Sequence, residues 1–344
     1  MRPTDVARAV QAMVKARRPS FLWGPPGLGK SSLVRQVAGA MKMDLIDLRA
    51  VLLDPVDLRG LPVVSQAEDG AKLADWVPPK FLPLKGKMGG RKGIIFADEL
   101  AQAAPLVQSA FLQGILDHRI GEAELDPDWV WVAASNRQED RAGAHRVISP
   151  LLNRFLHIDV EVSKDDWYTF ALGAGFAPEV TSFINWKPEA LLQFDPAKND
   201  RAFPTPRSWE FVSQLLPHTP PDLLHHVVAG TVGEGAAAEF SAFVQIYRNL
   251  PDPDKVLASP ATFQVPDDSS VLFALCGALV DRIKQASKEK LTRFVACITR
   301  LPQEYGMLAF RDGAQVNRDV MFVPGASQWM AQQRSYTITQ PVVA

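Results

Sequence analysis

Residues 24–31, which read GPPGLGKS, have the spacing GxxxxGK[ST] of a phosphate-binding loop, or P-loop. Glycines let the backbone N–H groups of such a loop curl around an oxyanion, and the helix that follows adds partial positive charge. We predict that Lys30 reaches the β- and γ-phosphates of a nucleotide and that Ser31 ligates the magnesium ion between them. The structural alternative is a glycine-rich turn that only joins a strand to a helix. The predicted nucleotide-binding residues are Gly24, Pro25, Pro26, Gly27, Leu28, Gly29, Lys30, Ser31, Ser32 and Asp98.

Two carboxylates, Asp98 and Glu99, follow an apolar run that begins at Gly93. Such a run predicts a buried parallel strand, and open α/β sheets bind ligands at the carboxyl ends of their strands. We predict that Asp98 holds magnesium through its water shell and that Glu99 orients and polarises the attacking water. An acidic pair after a strand is also common as a helix N-cap, but the P-loop upstream favours the catalytic role.

A neutral side chain, Asn136, follows a third apolar run, residues 129–134. An amide at a strand tip can hydrogen-bond both the γ-phosphate and the attacking water without adding negative charge. We therefore predict that Asn136 senses the γ-phosphate. Asparagine after a strand is also a common turn residue, so this assignment depends on the neighbouring motifs.

Alternating strands and helices must position these residues. Apolar spacing predicts a helix that starts at Thr4–Asp5, strands on either side of the P-loop helix, and two hairpins. The predicted segments are strand 21–23, an amphipathic helix after the P-loop, strand 45–48, hairpin 61–77, helix 105–116, hairpin 118–125 and strand 156–160.

Composition limits the class of protein. The chain has 344 residues, enough for two domains, and 37 basic against 38 acidic residues give a formal charge of −1. No overall field therefore favours nucleic acid or an anionic membrane. The two cysteines lack metal-binding spacing, and we find neither a signal peptide nor an apolar run of transmembrane length. We expect a cytoplasmic protein that uses no membrane.

Asn153-Arg154-Phe155, which lies before the last predicted strand, completes a recognisable order of motifs. P-loop, Asp-Glu strand, Asn-tipped strand and Asn-Arg-Phe in this order resemble the AAA+ ATPases. Within them the chain is most similar to the MoxR group of the dynein-related, helix-2-insert clade. Segments 57–60 and 98–112 also match patterns of that group, and the resemblance covers about residues 1–250.

The resemblance implies an α/β fold, with a P-loop NTPase core around a parallel five-stranded sheet. We predict three domains. These are an AAA+ nucleotide-binding core (residues 1–161), an α-helical lid (162–250) and a helical C-terminal extension (251–344), the last of which lies beyond the clear match. Two apolar stripes between residues 260 and 302 predict a pair of packed helices there.

The resemblance further implies a homo-hexameric ring with ATP between subunits. Arg154 would be the arginine finger that acts on the neighbour's ATP, and Arg207 a second sensor that reaches the γ-phosphate from the lid. Arg141 and Arg146 would be accessory arginines at the interface. The alternatives without a catalytic role are a surface salt bridge for Arg154 and a solvated side chain for Arg207.

The function implied by the resemblance is ATP hydrolysis in a ring that remodels or matures a client protein. The family often works with a von Willebrand factor A domain protein, which is the expected partner. One alternative is a nucleotide-driven motor on nucleic acid, and Glu122 and Glu124 beside Arg119 in a predicted hairpin argue against a DNA-gripping loop. Another alternative is a nucleotide-gated scaffold with little turnover.

Overall fold

The computed structural model describes residues 1–66, 71–140, 147–198 and 200–337, which fold into two compact units. The first unit comprises residues 1–163 and a short segment that starts at Phe194. The second comprises the other described residues from Lys164 onward. The finer division into core, lid and extension stays a prediction.

The first unit alternates strands with helices. In chain order it contains α1 (Pro3–Lys15), β1 (Ser20–Trp23), α2 (Lys30–Met41), β2 (Asp44–Arg49), α3 (Pro55–Arg59), β3 (Leu61–Gln66), β4 (Lys72–Val77), β5 (Gly93–Asp98), α4 (Pro105–Asp117), β6 (Arg119–Ile120), β7 (Ala123–Glu124), β8 (Trp129–Ser135), α5 (Ser149–Leu152) and β9 (Leu156–Asp159).

Five of these strands form one parallel sheet in the order β2-β5-β8-β1-β9. The strands β5 and β8 are buried along their whole length, as their continuous apolar sequences predict. The register pairs Trp23 with Ser135 on one side and with Asp159 on the other, and it pairs Asp98 with Ala134. The predicted α/β fold with a five-stranded parallel sheet is confirmed, and the loops after β1, β5 and β8 meet at one edge.

Two small hairpins accompany the sheet, and both were predicted. The strands β3 and β4 pair antiparallel, as do β6 and β7. Gly60, with φ +90°, leads into the first hairpin. A Cβ atom added to Gly60 would lie 2.0 Å from the carbonyl oxygen of Val77. Only glycine fits this backbone without displacing the hairpin.

The second unit is helical, which confirms the predicted helical region after the sheet. It contains α6 (Lys164–Gly173), α7 (Pro178–Trp186), α8 (Pro206–Leu215), α9 (Leu224–Val232), α10 (Glu234–Arg248), α11 (Pro253–Ala258), α12 (Ser269–Asp281), α13 (Lys288–Ile298), α14 (Gln303–Val316) and α15 (Ala326–Thr337). The two helices predicted between residues 260 and 302 are α12 and α13, and both pack against α14.

Apolar side chains of the second unit form two clusters. One is built around Trp209 and Phe240, and the other around Phe294 and Leu275. A buried hydrogen bond of 2.7 Å from the Tyr168 hydroxyl to Asp312 ties α6 to α14. Within the described residues, no helix combines the length and apolar character that crossing a bilayer requires.

Candidate active site

The P-loop occupies the turn between the end of β1 and the start of α2. Gly29 is the N-cap of α2 and has φ +88°, a conformation that favours glycine. Gly24 also has a close neighbour, because a Cβ atom there would lie 2.9 Å from the carbonyl oxygen of Val160. The sequence thus folds locally into a loop that brings backbone N–H groups and the α2 N-terminus to one place, which suits an anion.

Lys30, the first residue of α2, is only 9% exposed. Its ammonium donates hydrogen bonds to the carbonyl oxygens of Gly24 at 2.6 Å and Pro25 at 2.9 Å, and to Oδ1 of Asn136 at 3.0 Å. Neutral oxygen atoms therefore hold the Lys30 ammonium over the loop. The contact with Asn136 joins the P-loop to the tip of β8, as the sequence predicts for two parts of one site.

Ser31 and Asp98 are also brought together. The Ser31 hydroxyl donates to Oδ2 of Asp98 at 2.6 Å, which links the start of α2 to the end of β5. Because the Ser31 hydroxyl is the hydrogen-bond donor to the carboxylate, the lone pairs of its oxygen stay available to a cation. The pair fits the predicted magnesium position, since a hydroxyl and a carboxylate are oxygen donors of the kind Mg²⁺ prefers.

Magnesium at this position would need ligands besides protein side chains. Among the residues that the structure describes, no group of three or more His, Cys, Asp or Glu side chains could hold a metal ion. Mg²⁺ commonly keeps waters and takes phosphate oxygens of its substrate as ligands, so a site with two nearby protein oxygens suits a nucleotide-bound ion.

Glu99 follows β5 and lies outside the regular strand. Its backbone is left-handed, with φ +58° and ψ +33°, and its N–H donates to Oδ1 of Asp98 at 3.0 Å. The residue is half-buried, and a 3₁₀ turn (Leu100–Gln102) begins directly after it. Left-handed backbone is uncommon for a residue other than glycine and occurs often at functional sites.

Ser135 and Gln102 also belong to this region, although no sequence motif predicts a role for them. The Ser135 hydroxyl accepts a hydrogen bond from the backbone N–H of Ala101 at 3.0 Å and donates one to Oε1 of Gln102 at 2.6 Å. These bonds tie the end of β8 to the turn after Glu99. The only sequence signal was the position of Ser135 at the polar tip of an apolar run, next to Asn136.

A cleft of about 580 Å³ lies at the ends of β1 and β9. Trp23, Arg137, Asp159 and Glu161 are among its lining residues, and Arg137 donates from Nε to Oδ1 of Asp159 at 3.1 Å. Charges of both signs therefore line its wall. In the sequence, only its position directly after Asn136 indicates that Arg137 lies near the site.

The two predicted arginines lie elsewhere in the chain. Arg154 lies in the turn between α5 and β9, and its Nη1 donates to the carbonyl oxygen of Pro150 in α5. Arg207 belongs to the second unit, where it is exposed in the first turn of α8. The roles predicted for these two side chains stay predictions. Arg141 and Arg146 lie outside the described residues.

Residues 20–162 match the family described as "ATPase family associated with various cellular activities (AAA)". Residues 20–162 are an AAA ATPase domain. The class couples nucleotide binding to ATP hydrolysis, and this AAA ATPase domain contains Lys30, Asp98, Glu99, Asn136 and Arg154, whereas Arg207 lies outside it.

Comparison with whole proteins adds similarities of lower identity. Midasin from Giardia intestinalis is 29% identical over 195 residues, which are 54% of this chain and 4% of that protein. The chain thus spans a small part of the curated relative that it matches. Among solved structures, a mutant of RuvB from Thermotoga maritima is 16% identical with a TM-score of 0.40, covering 84% of this chain and 86% of that one.

Two further solved structures are similar to the chain at low identity. NtrX from Brucella abortus in complex with ATP is 12% identical with a TM-score of 0.41, covering 97% of this chain and 67% of that one. A putative ATPase from Cytophaga hutchinsonii is 14% identical with a TM-score of 0.35, covering 89% of this chain and 79% of that one.

Proposed function

We propose that this protein is a MoxR-type AAA+ ATPase that hydrolyses ATP in a ring to remodel or mature a partner protein. One observation supports the proposal most. Lys30 contacts Asn136 and Ser31 contacts Asp98, so the turns after β1, β5 and β8 converge on one point. A P-loop that only connected two elements would not require polar side chains from three strand ends to meet there.

Binding of the triphosphate rests on charge and backbone geometry. Phosphate oxygens take the place of the neutral carbonyl oxygens that contact Lys30, and the N–H groups at the start of α2 donate to the same anion. Ser31 would hold Mg²⁺ directly and Asp98 would hold it through water, and the ion would supply positive charge that neutralises part of the phosphate charge.

Hydrolysis requires that a water molecule attack the γ-phosphorus atom in line with the leaving oxygen. Glu99 holds this water through its carboxylate and accepts a proton from it. Since Oδ1 of Asn136 accepts from Lys30, the amide NH₂ group of Asn136 is left to donate to a γ-phosphate oxygen or to the water. Together these residues supply a cation, a base and a neutral donor at the reacting centre.

Arg154 completes the site in a neighbouring subunit, in a homo-hexamer with ATP at each interface. Its guanidinium then offsets the negative charge that develops on the γ-phosphoryl oxygens, a contribution of about 10³-fold or more to the rate. Arg154 follows Asn153 and directly precedes Phe155 and β9, the position that the resemblance gives to the arginine finger. Arg207 acts as the second sensor.

A protein client fits the surface of the first unit. The strands β3 and β4 carry six exposed large apolar side chains, which are Leu61, Val63, Val64, Leu73, Trp76 and Val77. Apolar side chains that cluster on a surface mark sites of protein interaction, whereas a nucleic-acid groove requires basic residues. We propose that the partner is a von Willebrand factor A domain protein together with its client.

Phosphate release tests this function. The purified protein, with ATP and MgCl₂, should release phosphate at a steady rate, and light scattering should show a mass several times 37.8 kDa under the same conditions. Replacing MgCl₂ with EDTA is the control and should stop release. A chain that binds ATP and assembles without releasing phosphate would be a scaffold, and stimulation by DNA would favour the nucleic-acid motor.

A further inference from the structure

Ser135 lies next to Asn136 in the sequence and contacts the turn that follows Glu99. It is the last residue of β8, only 2% exposed, and it directly precedes Asn136. Its hydroxyl contacts Ala101 and Gln102, which belong to the 3₁₀ turn that begins after Glu99. One buried hydroxyl thus connects the strand that leads to Asn136 with the turn that follows Glu99.

The Glu99 segment needs such a contact because β5 ends at Asp98 and gives no further sheet pairing. The left-handed backbone of Glu99 is unfavourable for a residue with a side chain, so the surrounding structure must hold it. Within the turn, Gln102 N–H donates to the carbonyl oxygen of Glu99 at 3.0 Å, which closes the turn on itself. The Ser135 hydroxyl ties that closed turn to the neighbouring strand.

The hydrogen bonds of Ser135 have a direction that fits this task. The hydroxyl oxygen accepts the Ala101 N–H at 3.0 Å, and its proton goes to Gln102 Oε1 at 2.6 Å. The hydroxyl is therefore fixed as donor and acceptor at once. Buried polar groups with both capacities satisfied hold their surroundings rigidly, since rotation would leave one group without a partner.

We propose that Ser135 and Gln102 are positioning residues that set the Glu99 carboxylate relative to Asn136. The inference rests on the proposed function, in which Glu99 accepts the proton of the attacking water. Loss of the Ser135 hydroxyl lets the turn move away from β8, and Glu99 then holds the water in a poorer position for attack. Binding of ATP continues, because Lys30, Ser31 and the α2 N-terminus are unchanged.

Steady-state kinetics of Ser135→Ala test the proposal. A displacement of the base by about 1 Å should lower kcat by roughly 10- to 100-fold while KM for ATP changes by less than about threefold. Gln102→Leu, which keeps the volume but removes the acceptor, should shift kcat in the same direction by a smaller factor. Ser109→Ala is the matched control, since that hydroxyl is exposed on α4 and donates to Pro105; its kcat should not change.

A second comparison separates positioning from general support of the fold. If Ser135 acts through Glu99, Ser135→Ala should cause no further loss of rate in the Glu99→Gln background. A further loss by the same factor as in the wild-type background would overturn the proposal. So would a fall in kcat matched by an equal rise in KM. If Ser135→Ala does not fold, the half-buried Gln102→Leu carries both comparisons.

The outcomes also separate this inference from the proposed function. If Glu99→Gln hydrolyses ATP at the wild-type rate, the assignment of the base fails, and the positioning role fails with it. If Glu99→Gln is slow while Ser135→Ala and Gln102→Leu hydrolyse ATP at the wild-type rate, only the positioning role is overturned.

Discussion

The ammonium of Lys30 donates a hydrogen bond to Oδ1 of Asn136 at 3.0 Å, across 106 positions of the chain. This bond is possible because β1 and β8 are neighbours in a parallel sheet, which places the residues after both strands at one edge. The same edge carries Asp98 at the end of β5. Three turns therefore build one site, and each can be tested separately.

Lys30→Ala should weaken ATP binding by about 10- to 100-fold, since it removes charge-assisted hydrogen bonds to phosphate oxygens. Binding of a fluorescent ATP analogue at equilibrium measures the change. Lys15→Ala, at an exposed position in the last turn of α1, should bind like the wild-type protein. Equal affinity of both variants would remove Lys30 from the phosphate site.

Arg154→Ala and Glu99→Gln should restore activity to one another when mixed, if the finger acts on the neighbour's ATP. Each protein alone should be slow. After subunit exchange in equal amounts, random assembly places an intact base beside an intact finger at roughly a quarter of the interfaces, so about a quarter of the wild-type rate should return.

The control for that mixture is Arg8→Ala, which removes an arginine from α1 that is 80% exposed. This variant should be fully active alone. If the mixture of Arg154→Ala and Glu99→Gln stays as slow as its components, although light scattering shows exchange, Arg154 does not act in the neighbouring subunit.

Tyr168→Phe should destabilise the protein in a manner that depends on pH. Burial raises the pKa of the Asp312 carboxyl, while hydrogen bonds from Tyr168 and Arg311 and the charge of Lys164 lower it by less. Because the folded-state pKa exceeds the unfolded-state value, ionisation of Asp312 costs stability as pH rises through that interval. Loss of the Tyr168 donor enlarges this cost.

Urea denaturation at two pH values measures the effect. The free energy of unfolding of Tyr168→Phe should fall by about 1–3 kcal/mol at pH 7, because a buried carboxylate loses one of its donors. The loss should shrink as the pH falls toward 3.8, the ordinary aspartate pKa. A loss that is equal at both pH values would show that the carboxylate charge is not its cause.

Gly60→Ala should disturb the entry to the β3–β4 hairpin. Gly86 offers a matched control, because it too has a left-handed φ, +76°, but a Cβ atom there meets nothing within 4 Å. We expect Gly86→Ala to lower the free energy of unfolding by about 1 kcal/mol through backbone strain alone. Gly60→Ala should cost about 1–3 kcal/mol more, because of overlap with the Val77 carbonyl and because ψ −166° at Gly60 gives a backbone conformation that essentially only glycine adopts.

Thermal or chemical unfolding of the two glycine variants measures this difference. Equal destabilisation would mean that the hairpin moves aside without cost.

Much of this architecture could be predicted because its signals are local. An apolar run that ends in polar residues defines a strand tip, and the P-loop, Asp98 and Asn136 all follow such runs. The predicted start of the first helix was slightly wrong. The sequence predicts a cap at Thr4–Asp5, whereas α1 begins at Pro3, whose fixed φ already suits the first helical turn.

Contacts that depend on strand register could not be predicted. Ser135 meets the turn after Glu99 only because Ala134 pairs with Asp98. Nδ1 of His157 accepts from Nε1 of Trp23 at 2.9 Å, because β9 lies beside β1. Side chains far apart in the chain meet through such pairings, and no local pattern encodes them.

The behaviour of Glu99→Gln tests the central claim most directly. ATP binding and single-turnover phosphate release should be measured on this variant and on the wild-type protein. We expect an ATP affinity within about threefold of wild type and release slowed by about 100-fold or more, since the base is lost while the phosphate site remains. Release at the wild-type rate would contradict the central claim.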